Sequence, residues 1–215
     1  MPSAYRDLVT GLNCGTTKAR WNIPERTLAA MPHRPIPGAS GRPRPLTLLG
    51  DEILRRPCAE AVDFGPRLER LVEDLFASMY AAGGVGLAAN QIGESLRVFV
   101  YDCPDDEEVR HLGHLVNPRL VAADGIELRG PEGCLSLPGL EAGTPRFDHA
   151  VVEGVTARGE PLRIEGTGFF ARCLQHECDH LDGLLYPDRI TGWRRRRVLR
   201  AAARTTWGKA VADRA

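Results

Sequence analysis

"GFFARCLQHECDHLDG", residues 168–183, runs from one glycine to another with no glycine or proline between them. Phe170, Leu174 and Leu181 recur near the helical repeat, so the stretch is predicted to be a helix, and Gly183 suits its C-terminal cap. On that helix His176 and His180 lie four residues apart, one above the other on a single face, with Glu177 about 100° round from His176. This is HExxH, the spacing with which two imidazoles grip one divalent metal while the glutamate reaches a water beside it.

A lone HExxH arises by chance in on the order of one chain in a hundred of this length, so the missing third ligand decides its meaning. Downstream of His180 there is no further histidine or glutamate, and the only carboxylates are Asp182, Asp188 and Asp213. The extended HExxHxxGxxH pattern fits as far as Gly183 but ends on Tyr186. A thiolate is the alternative, a strong ligand for zinc or ferrous iron. Cys178 points away from the histidine face, and Cys173 sits about 10 Å along the axis from His180, which suits packing beside the site better than ligation. Another segment has to supply the ligand, and "GPEGCLSLPG", residues 130–139, is the best candidate. Its glycines and prolines read as a turn presenting Cys134 and backbone amides. For a lone cysteine the ordinary alternative is a small buried hydrophobe.

A third stretch, "GGVGLAANQIG" at residues 83–93, follows "PRLERLVEDLFASMYAA". There Leu68, Leu71, Val72, Leu75, Phe76 and Met79 form one apolar stripe, with Pro66 opening the helix. Glycines after a helix suit a cap and turn, and a phosphate loop is weak because no strand precedes GVG and no Lys follows.

Taken in order, GVGLAANQ, EGCLS and HECDH resemble the three signature motifs of the peptide deformylases. The resemblance runs from about Leu46 to Ile190 and includes "VNP" at 116–118 and "TPR" at 144–146. It implies an α+β fold, with antiparallel sheets around a central helix that carries HExxH. It also implies one divalent ion per chain, natively Fe(2+), with Zn(2+), Ni(2+) or Co(2+) as substitutes, held by Cys134, His176 and His180 with a fourth position open to water. Glu177 would act as general base and then acid, while the Gln91 side chain and the Leu135 N–H, with the metal, receive the oxyanion. Val85, Phe169 and Cys173 would line an apolar cavity for methionine, and Gly86 would offer backbone to the peptide. The implied substrate is the formylmethionyl end of a nascent peptide, and the products are formate and a free amine. Asp179 would sit behind the site, held by an arginine such as Arg146, or else be an ordinary surface carboxylate. Two positions depart from the family pattern. Asn90 stands where Pro or Thr is commoner, and Glu141 stands where a basic or aromatic residue often flanks the peptide path.

The rest of the chain accords with this. Lys+Arg and Asp+Glu both total 28, so net charge suggests neither bulk nucleic-acid nor membrane binding. No apolar run is long enough for a membrane span. Cysteines at 14, 58, 103, 134, 173 and 178 show no disulfide spacing, and a thiolate ligand needs a reducing compartment, which points to the cytoplasm. Three parts are expected: an arm rich in Pro, Gly, Ser and Arg at 1–44, with Met31 a possible alternative start; a catalytic domain at 45–190; and a basic helix and tail at 191–215. "RVFVYD" (97–102), "HLVNPRLV" (114–121) and the pair "HAVVEGVTA" and "PLRIEG" around Arg158-Gly159-Glu160 read as strands, and "CPDDEEVRH" (103–111) as a solvated acidic loop. Basic runs are usually solvated helix faces. In this family's setting Arg194 to Arg197 become the expected contact with the ribosome. Rival functions are a HExxH metalloprotease, which the missing downstream ligand opposes, and a non-catalytic RNA-binding module, which the intact Glu177, Gln91 and ligands oppose.

Overall fold

A computed structural model describes residues 37–208; Cys14, Met31 and Asp213, with the rest of residues 1–36 and 209–215, lie outside that range. Helix α1, Pro66–Ala81, opens on the proline and buries the predicted stripe from Leu68 to Met79. Strands β1 (Gly86–Ala88), β2 (Val98–Pro104), β3 (Arg110–Gly133), β4 (Glu141–Val155) and β5 (Pro161–Thr167) follow. Helix α2, Gly168–Leu181, comes directly after β5, and helix α3 spans Gly192–Ala202. The five strands pair in chain order, antiparallel throughout, in one sheet. Helices and antiparallel sheet together make the α+β class anticipated for the chain.

The sheet is a partition between two cores. Val98 and Val100 face the α1 cluster with Leu75, Phe76, Leu87 and Val116. Phe99, Tyr101 and Cys103 face the α2 cluster with Leu115, Val152, Phe170 and Leu174. Alternate side chains of a strand point to opposite faces, so a strand covered on both sides reads as the unbroken apolar run VFVY. The HExxH helix therefore packs against the face opposite α1.

β3 is long because it serves two neighbours. Its first half pairs with β2, and after Val116 register shifts, the first between Val116 and Arg119, turn it onto β4. Such irregularities bend a strand and re-aim its end. Here they carry β3 back toward α2, so that its last residue, Gly133, immediately precedes Cys134.

The acidic stretch expected as a loop is instead a hairpin: Cys103 and Pro104 end β2, Arg110 and His111 begin β3, and Asp105 and Val109 close the turn. Two adjacent acids hid the strand ends because Asp105 spends its carboxylate locally, accepting from the Glu107 and Val109 N–H groups at 2.9 Å. Residues 38–44, assigned by composition to the arm, are pinned to α1. Gly38 N–H reaches Glu73, Arg42 N–H reaches Asp74 and Arg44 N–H reaches Ser78 Oγ. Among the described residues no helix is long and apolar enough to cross a membrane.

A third apolar cluster joins Leu137, Leu185, Tyr186 and Ile190 to Val198 of α3, with Cys134 and Leu140 against it. Replacing Leu75, fully buried against the sheet, with Ala is expected to cost about 2–5 kcal/mol. Urea unfolding followed by circular dichroism should show the lowered midpoint.

Candidate metal centre and active site

His176 and His180 lie on one face of α2, edge to face with 70° between their planes and ring centroids 4.8 Å apart. Cys134 comes in from the turn after β3, its Sγ 3.2 Å from His180 Nε2, and His180 Nε2 is 3.2 Å from His176 Nε2. The three ligating atoms all lie within 4.8 Å of one another. Cys134, His176 and His180 are thus brought together, although the cysteine is 42 residues from the nearer histidine.

The tautomer of His176 follows from its neighbour. Its Nδ1 is 2.7 Å from Glu132 Oε1, and an ionised carboxylate only accepts, so Nδ1 carries a proton and Nε2 is the nitrogen that faces the cluster. Burial opposes charging His176, but hydrogen bonds and charge from Cys134 and Glu132 raise it well above the usual histidine value. His180 is driven well below it, by burial first and then by the charge of His176. Two imidazole nitrogens and a cysteine sulfur this close together fit a zinc-like or ferrous ion, so this group could hold a metal.

Glu177 is 3% exposed, and its Oε2 has no hydrogen-bond partner among the described residues. Burial pushes its carboxyl up to about 7. Gly86 of β1 lies directly against it: a Cβ at that position would stand 2.4 Å from Glu177 Oε1 and 3.0 Å from Cys173 Sγ. A side chain on residue 86 would therefore occupy the space in front of the glutamate.

Gln91 sits in the short 3₁₀ turn Ala89–Ile92 that follows β1. Its Oε1 accepts from the Ala88 N–H at 2.9 Å, which aims the amide nitrogen at the cluster, 3.7 Å from Cys134 Sγ and 3.2 Å from Ser136 Oγ. Leu135 lies in the turn between them, half-buried. The incoming chain holds both pieces, with Thr47 N–H donating to Gln91 O and Leu49 N–H to Ser136 O. Cys173 is buried with its sulfur 3.9 Å from Val85 O, and its thiol is pushed well above the usual value by a hydrogen bond with Cys103 and by burial. A protonated thiol suits packing, not ligation. Phe169, one turn before Cys173, is half-buried against the same core, and Val85 is 37% exposed at the edge. Cys178 is a neutral buried residue on the other face, its thiol raised chiefly by burial.

Behind the ligands lies a buried ionic network. Glu132 accepts from Arg146 at both oxygens, 2.7 and 3.0 Å, and from Arg172 at 2.9 Å. Burial works to raise it, yet His176 and Arg146 hold it well below the usual carboxylate range. Asp179 is no surface residue. At 3% exposure it accepts from Arg146 at 2.6 Å and from Arg189 at 2.9 Å. Sequence reasoning missed Arg172 and Arg189, and it gave Glu132 no role although that residue opens EGCLS. It passed over Asn90 as a mere departure. Asn90 is fully buried, and its Nδ2 donates to the His180 carbonyl at 2.6 Å, tying the 3₁₀ turn to the ligand helix.

A helix bearing two neighbouring imidazoles, a cysteine sulfur from the turn after β3 and a buried carboxylate balanced near neutrality make the set of groups that a metallo-hydrolase requires. Residues 43–196 match the polypeptide deformylase family model, and the chain belongs to that family. It is 71% identical over 179 residues to peptide deformylase 2 of Streptomyces avermitilis, covering 83% of this chain and 96% of that one. With peptide deformylase 2 of Streptomyces coelicolor it shares 70% identity over 172 residues, 80% and 96% of the two chains. The crystal structure of peptide deformylase from Thermus thermophilus superposes with a TM-score of 0.68 at 40% identity, covering 74% of this chain and 93% of that one. That of Synechococcus elongatus in complex with actinonin gives 0.70 at 32% identity, covering 77% and 90%.

Glu132→Gln should keep the side chain's shape but remove the charge that orients His176. Metal affinity, measured by competition with a chelator, is expected to fall about 10–100-fold.

Proposed function

We propose that this peptide deformylase removes formate from the formylmethionine of newly made chains at the Cys134–His176–His180 centre, with Glu177 moving the protons. The observation that carries this is the buried Glu177 carboxyl, with an unpartnered oxygen, beside a three-donor cluster. A divalent ion held there supplies a Lewis acid for the formyl carbonyl and an acidified water at neutral pH. Glu177 takes a proton from the attacking water as the new C–O bond forms at the formyl carbon. It then delivers a proton to the methionine nitrogen as the C–N bond breaks, leaving formate and a free amine. A carboxyl poised near neutrality can do both.

Gln91 Nε2 and the Leu135 N–H are the donors for the developing oxyanion. Gln91 is pre-aimed by its bond from Ala88, so little reorganisation is needed when charge appears. Val85, Phe169 and Cys173 form the methionine pocket, and the bare backbone of Gly86 lets the peptide pass close to Glu177. Glu141, exposed and paired with Gly133, places negative charge beside the peptide path and tunes which substrates are favoured. The native ion is Fe(2+), and the mixed sulfur and nitrogen donors also accept Zn(2+), Ni(2+) or Co(2+). The enzyme works in the cytoplasm, where Arg194 to Arg197, all exposed on α3, contact the ribosome.

Protein purified without oxygen is expected to release formate from formyl-Met-Ala-Ser, and Glu177→Ala to lower kcat about 10²–10⁴-fold with its metal content unchanged. Persistence of activity in that variant would remove Glu177 from the role of base. Replacing Arg194 to Arg197 together by Gln should abolish salt-sensitive co-sedimentation with ribosomes while formate release from the tripeptide is kept.

A further inference from the structure

Helix α2 has no cap of its own: Thr167 precedes it without a side-chain bond to the first turn. The cap comes from 63 residues upstream, where Asp106, in the β2–β3 turn, accepts from the Phe169 N–H at 2.9 Å. Gly168 makes room for it. That residue has φ +55°, and a Cβ on it would lie 2.1 Å from the Asp106 carboxylate. Only a glycine meets both demands cheaply.

The turn that presents Asp106 is itself rigid. Asp105 accepts from two backbone N–H groups of the turn, and its other oxygen lies 2.9 Å from His111 Nε2. The His111 ring stacks flat on Phe170, with centroids 4.1 Å apart and 4° between planes, and Tyr101 packs on Phe170 at 5.2 Å. The hairpin thus grips two consecutive residues of α2, Phe170 by its ring and Phe169 by its backbone. With Phe170 locked into the core, Phe169 is left on the face it shares with Cys173, one turn on, and with the ligand histidines beyond.

We propose that the β2–β3 turn, acting through Asp106 on Phe169, sets the width of the pocket that selects the first side chain of the substrate. This rests on the assignment of Phe169 to the pocket wall made above. Asp106 is a positioning residue, since it touches neither substrate nor metal ligand. Freed from it, the first turn of α2 frays, Phe169 withdraws, and discrimination by shape weakens while the ligands, two turns further along, stay in place.

The test compares kcat and KM for formyl-Met-Ala-Ser and formyl-Ile-Ala-Ser in four forms of the metal-loaded full chain: wild type, Asp106→Ala, Asp106→Asn and Phe169→Ala. Asp106→Ala is expected to lower the preference for Met over Ile by about tenfold, mainly through KM, while Asp106→Asn, which keeps an acceptor oxygen, stays within about twofold of wild type. Gly168→Ala, which crowds the carboxylate out, should reproduce the Asp106→Ala result if that variant folds poorly. A general loss of stability would instead slow both substrates alike. An unchanged preference in Asp106→Ala, or equal damage in Asp106→Asn, overturns the proposal. Unchanged preference in Phe169→Ala overturns the pocket assignment and the proposal with it. A wild type that releases no formate from either peptide sinks the deformylase reaction itself.

Discussion

The site depends on one buried carboxylate. Glu132 accepts hydrogen bonds from His176, Arg146 and Arg172, and these donors come from α2 and β4 while Glu132 itself is on β3. It lies two residues before Cys134, so the group that orients one ligand is covalently close to another. Inside a protein each of these bonds is strengthened by low polarizability around it, and any one left unmade would expose an uncompensated charge. The arrangement therefore works as a unit: the strand end, the helix and the arginines are placed together or not at all. A buried ion network of this kind is a poor source of stability, and its value here lies in fixing geometry.

Glu132 and Glu177 are two buried glutamates, one bonded to His176 and the other next to it in sequence, and their environments drive them apart. Glu132 is surrounded by donors that favour its charge, and it stays ionised despite its burial. Glu177 has burial without matching donors, and its affinity for a proton rises toward neutrality. The first stays ionised, and the second is balanced near neutrality. That division between two glutamates is set by which side chains point inward, not by residue type.

What the sequence disclosed depended on distance along the chain. The α1 stripe, the doubly buried β2 and the imidazole pair on α2 repeat at short spacings, so periodicity reveals them. Cys134 was reachable because its glycine- and proline-rich turn marks an exposed segment, and the family resemblance added the rest of the set. The Asp106 cap, the Asn90 bond to His180 and the Arg172 bridge to Glu132 join positions 40 to 90 residues apart. Each such residue looks locally like something commoner: a solvated acid, a turn asparagine, a charged helix residue. The single continuous sheet was hidden for a related reason, since the register shifts of β3 leave no mark on its polar alternation.

The C-terminal helix connects to the chemistry through packing. Val198, on the buried face of α3, shares a cluster with Tyr186 and Leu137, and the Tyr186 hydroxyl donates to Leu140 O at 3.3 Å across the turn that carries Cys134. The arginines of α3 point the other way, into solvent, with Arg195 touching Asp188 at 3.2 Å. One face of the helix thus braces the ligand turn while the opposite face keeps its charge available. Such a division keeps the basic face out of the packing around the Cys134–His176–His180 group. The turn that carries Cys134 is held from the other side as well, because Leu137 is fully buried in that cluster and close-packed interiors resist small displacements.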